Sequence, residues 1–103
     1  MLIDDYAAWA DRVVGDGDGA TENVNPSTLS YLGLGLVGEA GEVAGEIKKL
    51  LRDGNWDPQR VADELGDVAY YWARLCVAVG VTPSELLDRS VEKIEVKLSS
   101  SRT

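Results

Sequence analysis

Two pairs of carboxylates stand at helical spacing in this 103-residue chain. Glu39 and Glu42 are three apart in "GEAGEVAGE", and Glu64 and Asp67 are three apart in "DELGDVAYY". Residues three apart share one face of a helix, so each pair presents two carboxylates side by side. If the two helices pack through the apolar stripes that border these pairs, four carboxylates converge at the edge of the core. Like charges so placed repel unless a hard divalent cation lies among them, and Mg²⁺ prefers carboxylate and water oxygens. Any one such pair is also what an ordinary solvated helix face looks like. Two pairs on consecutive helices, with little basic compensation nearby, favour a metal site.

The rest of the composition narrows the chemistry. There is no histidine, which removes the usual general base, the commonest zinc ligand and every histidine-based nucleophilic arrangement. The single Cys76 sits among apolar neighbours in "ARLCVAVG" and reads as a buried, inert thiol. A net charge of −8 repels nucleic acid and anionic lipid, so a phosphate-bearing ligand needs a bridging cation. No apolar run is long enough to span a bilayer and no leader resembles a signal peptide, so one cytoplasmic, soluble domain is expected, binding neither nucleic acid nor membrane. At this length a single core is marginal. A homo-oligomer, dimer or tetramer, is expected to complete it.

Positioning the carboxylates takes helices. Apolar residues at intervals of three and four predict one over about Ile3 to Val14, with Tyr6, Trp9, Ala10 and Val13 on one face. "GDGDGATENVN", residues 15 to 25, reads as a loop; its Asp16 and Asp18 suggest a calcium loop, but Ala20 and Thr21 stand where a ligand and a glycine are required. Asn25 as cap and Pro26 at the first position open the longest helix, which runs to Arg52 before "DGN". Asp57 and Pro58 open a third, whose stripe of Val61, Leu65, Val68, Trp72, Leu75, Cys76 and Val79 must face a core. Thr82 and Glu85 form a capping box around Pro83 for a fourth helix to about Leu98, and 99–103 is a frayed tail. The fold class is therefore all-α: a four-helix-type bundle over residues 1–98, completed by homo-oligomerisation, with two central antiparallel helices carrying the carboxylates.

Gly33, Gly35 and Gly38 match the G-x-G-x-x-G of a dinucleotide-binding turn, but helix-start chemistry precedes them where a strand is required. The glycines belong to a helix. Gly38, Gly41 and Gly45 fall on one stripe, nearly opposite Leu29, Leu32, Leu36, Val43, Ile47 and Leu50, and predict a close-contact surface.

"GLVGEAGEVAGEIKK", followed after 21 residues between Glu42 and Glu64 by the second pair in "DELGDVAYYWARL", resembles the paired motifs of the MazG-like, all-α nucleoside triphosphate pyrophosphohydrolases. The resemblance covers about residues 26 to 98. It implies that Glu39, Glu42, Glu64 and Asp67 hold Mg²⁺, with Mn²⁺ a possible substitute, and that Glu46 is a further acid facing the same site. It implies hydrolysis of a nucleoside triphosphate to the monophosphate and pyrophosphate, with the clearing of noncanonical or surplus nucleotides as an implied role. Without histidine the base that activates water is a glutamate, from among Glu39, Glu42 and Glu46, its pKa raised by crowded like charges.

Substrate contacts follow less directly. Lys49 comes after the first pair, and Lys93 and Lys97 are i, i+4 on the last helix; such lysines are also common surface charges. Relatives carry N-x-x-K-x-x-x-R there. This chain reads Ser90, Lys93 and Lys97; Lys93 keeps its place, but Ser90 departs from the pattern. Among Trp9, Trp56 and Tyr71, Tyr71 is the best candidate to meet the base, being one turn after Asp67, whereas Trp72 belongs with the core residues. Two other functions fit parts of the sequence: an acidic helical module that binds a basic partner, and a phosphoribosyl-ATP pyrophosphohydrolase that shares the motifs.

Overall fold

Each of the three prolines, Pro26, Pro58 and Pro83, is the first residue of a helix. A proline there gives up a backbone N–H that would lack a helical partner anyway, and its fixed φ suits the first turn. The chain, described by a computed structural model over residues 1–13 and 26–101, forms α1 (Ile3–Val13), α2 (Pro26–Asp53), α3 (Pro58–Ala78) and α4 (Pro83–Ser101), with no strand among the described residues. Asn25, Val14 and the 15–25 segment with its calcium-like pattern lie outside them.

Side-chain caps open α3 and α4 as the sequence predicts. Asp57 Oδ1 accepts from the Arg60 backbone N–H at 3.2 Å, and Thr82 Oγ1 accepts from Glu85 N at 3.2 Å. Gly54 and Gly80, at φ 73° and 80°, take the left-handed conformation that ends α2 and α3 and that other residues adopt at a cost. One cap was not legible locally: Asp4 on α1 accepts from Ser84 N at 2.8 Å and Ser84 Oγ at 2.6 Å, tying the first turn of α4 to α1.

Packing centres on α3. Helix α2 packs along it, with Glu46 meeting Arg60 near the connection and Gly35 meeting Tyr71 farther out, so numbers fall along α2 as they rise along α3. Helix α1 packs against α3 and α4, and α4 also touches α3. The fully covered apolar residues are few and mostly small: Ala7, Ala10, Leu32, Ala73, Cys76 and Ala78.

The apolar stripes are only partly covered by this chain. Leu65 and Val79 of the α3 stripe are 53% and 62% exposed, and Leu29, Ile47 and Leu50 of the α2 stripe are exposed as well. Neither α1 nor α4 contacts α2, so the four helices do not close into a bundle by themselves. The Cα radius of gyration is 16.4 Å, against about 13 Å for a compact domain of about 100 residues. Within this chain the Gly38, Gly41 and Gly45 stripe makes no close contact. A Cβ at Gly38, Gly41 or Gly45 would meet nothing within 4 Å, whereas one at Gly35 would overlap the Tyr71 ring.

Candidate metal centre

The offset of α2 against α3 brings together one carboxylate of the first pair and both of the second. Oxygen atoms of Glu39, Glu64 and Asp67 all lie within 4.8 Å of one another. Glu39 and Glu64 are partly buried and Asp67 is exposed, so the group opens to solvent on one side. Burial pushes the Glu64 carboxyl above its ordinary range, and repulsion from Asp67, Glu42, Glu39 and Glu46 adds to this. Glu42 is thus close enough for its charge to act on Glu64, although it is not one of the three that meet.

Glu46 has a different setting from the one expected. It is 8% exposed, and its Oε2 accepts from Lys49 Nζ at 3.0 Å and from Arg60 Nε at 3.2 Å. A carboxylate so buried needs such partners, and both cations are supplied within one turn of the connection. Glu46, Lys49 and Arg60 line a pocket of about 360 Å³ with Asn55, Trp56 and Asp57. Seven residues separate Glu39 from Glu46, which places this pocket about 10 Å along α2 from the carboxylate group. Lys49 therefore lines this pocket rather than the carboxylate group, and is bound to Glu46.

Tyr71 stands beside the carboxylates, in the space left by Gly35. Its ring makes edge contacts with Tyr31 and Tyr70, at centroid distances of 6.0 and 5.3 Å. A hydrogen bond shared with Tyr31, followed by burial, raises its pKa, and Glu39 contributes to the same shift. Lys93 and Lys97 are exposed on α4, which makes no contact with α2, so this chain does not bring them to the α2 carboxylates. Trp9 makes a tilted ring contact with Tyr6, at a centroid distance of 5.6 Å, and does not line the pocket that Trp56 lines.

Two arginines on α3 were not singled out from the sequence. Arg60 is four residues before Glu64 and Arg74 seven after Asp67, so both belong to the α3 stripe that carries the carboxylates. That periodicity was the available signal. A basic residue on a helix is ordinary, however, and only the inter-helix contacts show which carboxylate Arg60 meets.

The arrangement has hard oxygen donors at one point, on two helices that pack together. Residues 27–98 match the family model of the MazG nucleotide pyrophosphohydrolase domain. The chain belongs to that family. This MazG domain is also similar to the Gene 37 protein of Mycobacterium phage L5, at 36% identity over 101 residues that cover 92% of this chain and 87% of that protein. No solved structure matches it. Among the described residues no helix is long and apolar enough to cross a membrane. The donor set fits a hard divalent ion: the three residues that converge offer carboxylate oxygens only, and no cation neutralises them at hydrogen-bond distance among the described residues.

Proposed function

We propose that this MazG domain is a Mg²⁺-dependent nucleoside triphosphate pyrophosphohydrolase, with Mn²⁺ as an acceptable substitute. The observation that carries the reading is the convergence of Glu39, Glu64 and Asp67 within 4.8 Å, in a chain of net charge −8 that has to bind a polyanion. Bound there, the metal supplies the positive charge that phosphate oxygens need and increases the electrophilicity of phosphorus.

The chain's own residues do the remainder. Glu39, Glu64 and Asp67 hold the cation. Glu42, outside that group but close enough to act on Glu64, orients the attacking water and accepts its proton. Water adds to the α-phosphorus and the α–β bridging P–O bond breaks, giving the nucleoside monophosphate and pyrophosphate. Glu46 is a less apt base than Glu42, because its oxygen is already engaged by Lys49 and Arg60. Tyr71 offers an aromatic face or edge to the nucleoside beside the carboxylates.

A second copy of the chain completes the bundle around the two antiparallel central helices. Leu87, Val91, Ile94 and Leu98 recur on α4 at intervals of four, three and four, all exposed, and they supply an apolar face for that contact. In such an assembly Lys93 and Lys97 can reach a site that their own chain does not bring to them.

The test is a panel of NTPs and dNTPs, including noncanonical bases and phosphoribosyl-ATP, incubated with Mg²⁺ and assayed for pyrophosphate against orthophosphate. Pyrophosphate release that disappears in Asp67→Asn supports the reading. A protein that releases none, and that Mg²⁺ does not stabilise beyond an ionic-strength control, is instead an acidic interaction module.

A further inference from the structure

One turn beyond the carboxylate group, α3 carries a cation with no hydrogen-bonding or ion-pair partner among the described residues. The Nε of Arg74 is buried and makes no hydrogen bond, and the guanidinium forms no ion pair among the described residues. A buried donor left open in this way needs an explanation, and because Arg74 as a whole is only half-buried, a ligand can reach its guanidinium. Its position says which part of a ligand. Seven residues after Asp67, Arg74 lies on the same stripe of the helix. Helical side chains lean back towards the N-terminus, and the Arg74 guanidinium carbon is 5.8 Å from the ring centroid of Tyr70, four residues earlier. The charge therefore sits over Tyr70, only one turn, about 5 Å, beyond Asp67.

The basic residues on the two sides of the carboxylate group differ. On one side Lys49 and Arg60 are both engaged by Glu46. On the other, Arg74 presents a planar fork of donors that matches phosphate geometry.

We propose that Arg74 binds the β- and γ-phosphates of the triphosphate, so that the pyrophosphate leaving group lies towards Arg74 while the α-phosphate lies at the carboxylate group. This rests on the pyrophosphohydrolase reading. As the α–β bridging bond breaks, the bridging oxygen leaves with pyrophosphate and carries the developing negative charge, which the guanidinium is positioned to stabilise.

Inorganic pyrophosphate is the probe. Titrated in the presence of Mg²⁺, it binds the wild-type protein more tightly than orthophosphate does. Arg74→Met weakens pyrophosphate about 10- to 100-fold, leaves stabilisation by Mg²⁺ alone unchanged, and lowers kcat/KM for the triphosphate by a similar factor. Arg74→Lys keeps the charge without the fork and recovers part of the loss. Unchanged pyrophosphate affinity in Arg74→Met overturns the proposal. So does a loss that appears only with a change in sedimentation, because Arg74 would then be meeting a carboxylate of a second copy. The two readings fail separately: if wild-type protein releases pyrophosphate but its pyrophosphate affinity ignores residue 74, only the Arg74 assignment falls, whereas no release from any triphosphate removes both.

Discussion

Tyr71 lies against the bare backbone of Gly35, so closely that a Cβ on that glycine would overlap the aromatic ring. The ring has little room to retreat, because Tyr31 and Tyr70 make edge contacts with it. Gly35→Ala is therefore expected to destabilise the fold by about 1–3 kcal/mol. Gly41→Ala, where a Cβ meets nothing, is expected to stabilise it by about 0.5–1 kcal/mol through helix propensity. Urea denaturation of both variants reads the difference. A cost at Gly41 would reveal the backbone of a second copy on that stripe.

The carboxylates divide into two groups with separate signatures. Glu39→Gln and Asp67→Asn remove oxygen donors from the cluster and abolish thermal stabilisation by Mg²⁺, which at ten times its Kd adds about 1.4 kcal/mol. Glu46→Gln retains that stabilisation but lowers stability without metal by about 1–3 kcal/mol, because it disrupts a buried carboxylate with two cationic partners. Arg60 and Lys49 are substantially exposed, so removing either alone costs less, under about 1 kcal/mol. Thermal shifts with and without Mg²⁺ separate these cases.

Glu64 links stability to pH. Its pKa in the folded protein is raised, so the folded state binds its proton more tightly than the unfolded state. Its contribution is fully present below the ordinary glutamate range, about pH 4.3, and is lost as pH rises through the raised folded value. The difference in urea midpoint between wild type and Glu64→Gln, followed without metal, should therefore move in favour of Glu64→Gln as pH rises. A difference that is flat with pH contradicts the shift.

The exposed α4 face predicts association. Ile94→Glu places a charge within the Leu87, Val91 and Leu98 stripe and should convert an oligomer to protomers at micromolar concentration, read by sedimentation. A protein that sediments as a protomer before substitution excludes the proposed second copy.

Asp4 gives a prediction about the attachment of α4. Its carboxylate accepts from the backbone and hydroxyl of Ser84, 80 residues away, at the first turn of the helix. Asp4→Ala should cost about 0.5–2 kcal/mol, measured by denaturation, with Mg²⁺ binding unaffected because the carboxylate cluster lies on α2 and α3.

What the sequence by itself determined is what depends on near neighbours along the chain. Pro26, Pro58 and Pro83 mark helix starts, Gly54 marks the end of α2, and three-residue spacing places Glu39 beside Glu42 and Glu64 beside Asp67 on their own helices. The motif combination likewise identified the family. The tertiary structure decided how α2 is offset against α3, and periodicity carries no information on that: a slide of one turn, about 5.4 Å, changes every opposing pair. That offset puts Glu39, rather than both members of its pair, with Glu64 and Asp67, joins Glu46 to Arg60, and makes Gly35 the glycine under an aromatic ring. It also left uncovered the apolar stripes that the sequence assigned to a core, because α4 contacts only α1 and α3.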